Sequence, residues 1–443
     1  MTYQLRLNVN YFEPGAPKPI RLPAIVTEAG VLISHLRYLA ANNNKSLSWK
    51  KKSITAVILL MRYMDAFSNN KKKPIEILRL FSRCLNEGTI DYETMSDETE
   101  LYWKPRDNKS VTDIVWHINN FTDHLNQKNS PSSLPPNPFR EATCVEQRLN
   151  WCAIKNKNNS IFLSHLNSNE SLMEKSRFVR EFMPGKSPFV SGPQKSTKKF
   201  AKDEFKMLIE KGFRYADGSY DYKSICMVAL MHYGGLRISE LFHIYLCDIT
   251  EDPNIEDGAF VLCFHPELGS SPDPTYANRK EYLAAEYNLE PRNLLVNRYH
   301  AGWKSPALKD TENLYFEVIF SSDEASRLFY DAWIKYLSFQ RVDAPDCFRH
   351  PFLFTNKSGR PETIGNFRDK YARALEKVGL RNSKNLGTSP HGNRHAYGDK
   401  LDELGLSETD IQTCMHHKSL FSSAVYRQSS EAEIREKMRL INE

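Results

Sequence analysis

SPHGNRHAYGDKLDELGLSETDIQTCMHHKSLFSSAVY, residues 389–426, decides the reading of this chain. Ser389 stands where a helix N-cap is expected, and Pro390 suits the first helical position. His391 and Arg394 are three residues apart, which puts both on one face of the first turn. Backbone N–H groups and the positive end of the helix dipole gather at that turn and favour an anion such as phosphate. Ser407 opens a second, short helix, with Asp410 where a capping box usually has Glu or Gln. That helix is expected to end near Met415, which leaves His417 in a turn and Tyr426 on or near the next helix. A free tyrosine has a pKa of about 10, so attack at neutral pH requires cationic neighbours and a base within reach.

Working outward, GGLRISEL (234–241) supplies a second arginine. Arg237 follows the Gly234-Gly235 break. Its guanidinium can fork two hydrogen bonds onto phosphate oxygens, and with Arg394 it could clamp a pentacoordinate phosphorus. Glu240 is placed to orient it. Each piece has a plainer reading: a capped helix with a surface His and Arg, an i,i+3 ion pair worth about 0.2–0.5 kcal/mol, and a packed aromatic. His395, His416 and His417 suggest a metal, but no acidic or cysteine ligands are spaced to complete a site.

Taken together the pieces are specific. The order Arg237, His391, Arg394, His417, Tyr426, with 23 residues from Arg394 to His417 and nine more to Tyr426, resembles the catalytic set of the tyrosine recombinases, or phage integrases. The resemblance covers about 200–430. It implies a mainly α protein with a small β-sheet, in which a helical core-binding domain precedes the catalytic domain. It implies cleavage and rejoining of DNA through a 3′-phosphotyrosine, with no metal, nucleotide or other cofactor. Arg237 and Arg394 would clamp the phosphate, His417 would hold one of its oxygens, and His391 would assist proton movement at Tyr426. Double-stranded DNA is the implied partner, bound by a homotetramer that is a monomer or weak oligomer when free. Accessory DNA-bending or directionality proteins are further possible partners.

The family also has a lysine at a β-hairpin, acting as general acid. Here the stretch 266–313 separates two expected strands, AFVLCFH (259–265) and LYFEVIF (314–320). Lys304, in HAGWKSP, is preferred because Gly302 and Trp303 mark a structured turn; Lys309, in ALKDT, is the alternative. The insertion also carries Arg279, Lys280, Arg292 and Arg298, placed to reach DNA or to cover the fold. Where the family has a glycine before the last histidine, His416 stands. A negative φ there would accommodate it, and His416 itself competes with His417 for the role. Two other readings stay open: a type IB topoisomerase, which also forms a 3′-phosphotyrosine, and a DNA-binding protein that keeps the fold without cleaving.

The rest of the chain fits a multidomain enzyme. At 443 residues it is too long for one ordinary core. Residues 1–30 read as extended pieces broken by Pro14, Gly15, Pro17, Pro19 and Pro23. Helical spacing runs through 31–40, 53–67, 74–88 and 111–125, so 31–128 is a helical module that looks like the core-binding DNA clamp. A polar connecting region and linker fill 129–199, and 200–443 is the catalytic domain. Segment 141–183 is ambiguous. Lys50, Lys51, Lys52, Lys195, Lys198 and Lys199 are placed to meet phosphates, contacts that set affinity and salt dependence rather than sequence preference.

A net charge of +6 permits DNA binding without requiring it. The eight cysteines form no CxxC and no zinc spacing, which suits free thiols in a reducing cytosol. No signal layout and no long apolar run occur, so a cytoplasmic protein off the membrane, nucleoid-associated when on DNA, is expected.

Overall fold

Contacts within the chain separate two units, Met1–Pro193 and Gln194–Glu443. The computed structural model describes residues 3–13, 15, 19–67, 73–128, 135–159, 169–184 and 198–419. Among them no helix is long and apolar enough to cross a membrane.

In the first unit, strands β1 (Leu5–Tyr11), β2 (Ile20–Thr27) and β3 (Gly30–Val31) form an antiparallel sheet in that order. The N-terminal segment is therefore part of a core rather than a run of separate extended pieces. Pro23 does not break β2; it faces Asn8 across the ladder and sits among buried neighbours. Leu22, Ala24 and Ile25 of β2 pack on Leu36 and Leu39 of α1 (Ile33–Ala41) and on Ile54, Val57 and Ile58 of α2 (Leu47–Ala66). Ala56, Leu59 and Tyr63 of α2 serve a second cluster. They meet Leu78, Phe81 and Leu85 of α3 (Pro74–Glu87) and Val111, Val115 and Ile118 of α4 (Asn108–Lys128). One helix buried on both sides thus joins two small cores. Segment 141–183, ambiguous in sequence, forms α5 (Cys144–Asn159) and α6 (Asn169–Ser176), flanked by the paired strands β4 (Phe139–Glu141) and β5 (Phe178–Arg180).

The second unit is built around one apolar helix. It opens with α7 (Lys202–Met207), continued by a π turn over Leu208–Gly212. The sequence ICMVALM runs through α8 (Tyr222–His232), and every residue of it is buried. A helix apolar all round belongs in the middle of a core. It packs with Phe329 and Ala332 of α10 (Asp323–Phe339) and with Phe367, Tyr371 and Leu375 of α11 (Ile364–Lys377) in one cluster. Beside it lies a sheet of β6 (Ile249–Glu251), β7 (Ala259–Phe264) and β8 (Tyr315–Glu317). The two strands expected to flank the insertion do pair, antiparallel, with Cys263 opposite Phe316.

The insertion between β7 and β8 is held by buried arginines. Helix α9 (Arg279–Tyr287) starts with the Asn278 side chain accepting from the Glu281 N–H. Arg279 forks onto both carboxylate oxygens of Asp248, donates to the Ser270 carbonyl at 3.2 Å, and lies between the rings of Tyr245 and Phe264 at 4.1 and 4.0 Å. Arg292 donates to the carbonyls of Tyr299, Phe242 and Glu362 at 2.9, 3.2 and 2.6 Å. These two cover the fold; Lys280 and Arg298 stay exposed. Both partners of the Arg279–Asp248 pair are 2 % exposed. Removing one side of such a pair costs about 3–5 kcal/mol, because a charge is left in the interior. Asp248→Ala is expected to lower the stability of the second unit by that amount, read from the urea midpoint of the full chain at unchanged m-value.

Candidate active site

The site is assembled from a turn, a helix start and a loop. The turn follows α8. Gly235 has φ +67°, and a Cβ there would lie 2.4 Å from the Tyr397 ring. Only glycine permits this close passage, which delivers Arg237 at the end of the apolar helix. The Arg237 backbone N–H and its Nη1 each donate to a carboxylate oxygen of Glu240 at 2.7 Å. Glu240 is fully buried and Arg237 only 18 % exposed, so this is a fixed clamp rather than a surface ion pair.

The helix start belongs to α12 (Pro390–Glu403). Ser389 occupies the N-cap position, but its side chain makes no capping hydrogen bond. Asn393 does the anchoring instead. It is fully buried, its Nδ2 donates to the Tyr371 hydroxyl of α11 at 3.0 Å, and its Oδ1 lies 3.2 Å from His232 Nδ1 of α8. Asn393 was not singled out from sequence; its place between the two chemistry-bearing residues of PHGNRH was the available signal. One turn in, Arg394 is 1 % exposed. Its Nη1 donates to the Gly235 carbonyl and its Nη2 to the Met415 carbonyl.

The loop follows α13 (Glu408–Cys414), where Ser407 and Asp410 form the expected capping box. His416 has φ +53°, not the negative value its bulk calls for. The chain here has the left-handed conformation a glycine would take freely, at a cost of order 1–3 kcal/mol for another residue. The His416 ring stacks on Phe316 with centroids 3.8 Å apart, and its carbonyl accepts from the Ala307 N–H at 3.1 Å. Those contacts hold the strained residue. His417 follows, its N–H donating to Gln412 and its carbonyl accepting from the Gln412 side chain, both at 2.9 Å.

Electrostatics tie the pieces together. His417 is pushed down to about 3, by burial first and then by Arg394, Arg237, His391 and His395. His391 is lowered to about 4, by lost hydration and then by His395, Arg394, Lys304 and Arg237. Both are therefore neutral at pH 7. His395, which sequence considered only as a metal ligand, has its ring 4.4 Å from that of His391.

The charge of Lys304 reaches His391, and Lys304 forms no ion pair among the described residues. Lys309 is engaged 3.1 Å from Glu317. His416 points into the Phe316 stack, and the charges of Arg394 and Arg237 reach both His416 and His417. Tyr426 lies outside the described residues, as does Lys195. The other lysines divide. Lys50 is a correction: it is buried, donating to the Asn43 carbonyl and side chain at 3.1 and 2.7 Å, because its place on α2 turns it inward. Lys52 pairs with Asp113 at 2.7 Å, and Lys199 with Asp399 and Glu403. These exposed pairs are weak and exchangeable. Lys51 and Lys198 are exposed.

No family model and no curated protein matches the chain. Among solved structures it is similar to that of XerA recombinase, with 14% identity and a TM-score of 0.35 over 93% of this chain and 98% of that one. It is also similar to the Tn1549 transposon integrase in complex with a circular intermediate DNA, with 13% identity and a TM-score of 0.44 over 92% and 98%. A third is XerH site-specific recombinase bound to a palindromic difH substrate, with 12% identity and a TM-score of 0.40 over 84% and 99%.

The histidine charges can be read directly. In the free protein, NMR of ring-labelled histidines should show His391 titrating near pH 4 and His417 near pH 3, with His391→Gln and His417→Gln giving the assignments. Both rings lose charge relative to a free histidine, so stability falls as pH drops below about 6.5 towards those values. A midpoint near 6.5 for either ring would contradict the arrangement.

Proposed function

We propose that the protein is a site-specific DNA recombinase or integrase that cuts and rejoins strands through a 3′-phosphotyrosine at Tyr426. The observation that carries this reading is that Arg394 donates to the Gly235 carbonyl, two residues before Arg237, and to the Met415 carbonyl, two residues before His417, so that segments far apart in sequence meet at its guanidinium. Two fixed guanidinium groups, two neutral imidazoles and a nearby lysine make a receptor for one phosphodiester undergoing substitution.

In the proposed step the Tyr426 oxygen bonds to phosphorus while the bond from phosphorus to the 5′-oxygen breaks. The phenol proton passes towards neutral His391, and Lys304 protonates the departing 5′-oxygen. Arg237, Arg394 and an N–H of His417 hold the non-bridging oxygens, where negative charge grows in the transition state. A 5′-hydroxyl from a partner strand reverses the sequence. The bond is conserved in the phosphotyrosine, so neither ATP nor a metal enters the balance. The helical part of the first unit would serve as the DNA clamp. Double-stranded DNA held by a homotetramer is the assembly that fits, with integration or excision of a mobile element as its use.

Covalent trapping tests the reading. Duplexes selected for binding from a random library, nicked beside the mapped cleavage position, are incubated with protein in chelator. A protein–DNA adduct on a denaturing gel is expected from the parent and not from Tyr426→Phe. No adduct on tightly bound DNA, or one that survives the substitution, would sink it. Lys304→Ala should slow adduct formation by about 100-fold or more, the usual worth of a general acid, while Lys309→Ala stays near the parent rate.

A further inference from the structure

We infer that Trp303 and Phe316 are positioning residues that lock the general-acid lysine, Lys304, to the phosphate-holding loop of His417; this rests on the strand-transfer reading above. A series of ring contacts carries it. His243 stands edge-on to Trp303 with centroids 5.5 Å apart, and His265 contacts the same indole at 5.6 Å. Trp303 stacks towards Phe316 at 6.3 Å and 22°, and Phe316 stacks on His416 at 3.8 Å and 27°.

Two members of this series are chain neighbours of the reacting groups. Trp303 precedes Lys304 and His416 precedes His417. His243 closes the short helical turn that Glu240 opens, three residues after Arg237. The main chain of Ala301 and Gly302 lies beside the His243 ring. A second tie runs parallel, from the Ala307 N–H to the His416 carbonyl. Phe316 is itself fixed in β8, opposite Cys263 of β7, and is 1 % exposed.

The insertion explains why such a device is needed. A lysine on a tight hairpin turn inherits its position from the two strands. Lys304 instead sits late in the long stretch 266–313, where the strands alone do not fix it. Proton donation to a leaving oxygen is intolerant of misplacement, and an error of about 1 Å can cost roughly 100-fold. Contact between aromatic faces is directional and falls away with tilt and distance, so it can restore the position the loop does not supply. In this arrangement the left-handed backbone at His416 is what turns its ring onto Phe316.

The test separates positioning of a proton donor from general support of the fold. Single-turnover cleavage is measured on the selected duplex with an ordinary 5′-oxygen at the scissile bond, and on the same duplex with a 5′-sulfur there. A thiolate leaves without being protonated, so the sulfur substrate does not need Lys304. The proteins are the parent, Lys304→Ala, Trp303→Ala, Trp303→Phe and Phe316→Leu, each checked by thermal melting.

Lys304→Ala, Trp303→Ala and Phe316→Leu should slow the oxygen substrate about 100-fold. They should leave the sulfur substrate near the parent rate, and Trp303→Phe should recover most of the loss. Equal slowing on both substrates, or no slowing on oxygen, overturns the inference while leaving the strand-transfer reading intact. A parent that forms no adduct on either substrate removes that reading and the inference with it. Should Phe316→Leu melt early, Trp303→Ala, at a half-buried position, decides the question alone.

Discussion

The guanidinium of Arg394 is the point on which the second unit's chemistry hangs. It is buried at the start of α12, yet its donors reach the carbonyl of Gly235 in one segment and that of Met415 in another. Carrying a cation into a protein interior costs several kcal/mol unless hydrogen bonds recover it. The turn before Arg237 and the loop before His417 are therefore shaped to offer carbonyls to this group. Their own functional residues are set in place by serving it. The side chain proposed to hold phosphate also joins the three segments that meet there.

That arrangement concentrates positive potential without concentrating protons. Arg237 is oriented by fully buried Glu240, so it cannot swing away from the site. Burial first, and then the same field, keeps the histidines neutral, His391 lowered to about 4 and His417 to about 3. A neutral imidazole can take a proton or offer an N–H, whereas an imidazolium could only donate. In the proposed reaction the arginines would hold charge while the histidines handle protons, and burial together with the arginine field suits the rings to that part.

Much of this could be read from sequence where the signal is local. Pro74 and Gly88 bracket α3, and Ser407 with Asp410 form the capping box of α13, because helix ends depend on residues a turn apart. The pairing of β7 with β8 followed from two apolar runs despite the stretch between them. The set Arg237, His391, Arg394 and His417 was suggested by an order and spacing that resemble the tyrosine recombinases, and in the structure these four lie within reach of one another's charge. What escaped depends on the third dimension. The prolines of 1–30 conceal β2 because burial overrides local preference. The positive φ of His416 goes with a stack on Phe316, a ring 100 positions earlier. The inward turn of Lys50 comes from its bonds to the carbonyl and side chain of Asn43, in the turn before α2, which a run of three lysines does not disclose. The anchoring role of Asn393 is hidden because its partners, His232 and Tyr371, are remote in sequence.

The buried arginines of the insertion bear on how such a chain can change over generations. Cutting 266–313 away and closing the strands with a short turn would leave Asp248 facing the space where Arg279 had been. The carbonyls of Phe242 and Glu362 would lose the donor that Arg292 supplies. The insertion is thus a share of the domain's interior rather than an ornament on it. Its outer face is freer to drift, since Lys280 is exposed and its bond to Glu267 is made by the main chain, which any side chain but proline keeps. Arg279 and Asp248 are not, because either change alone strands a charge. A lineage can shed this segment, and Arg279 with it, only if Asp248 is replaced by an apolar residue at the same time, a double step that single substitutions do not easily reach.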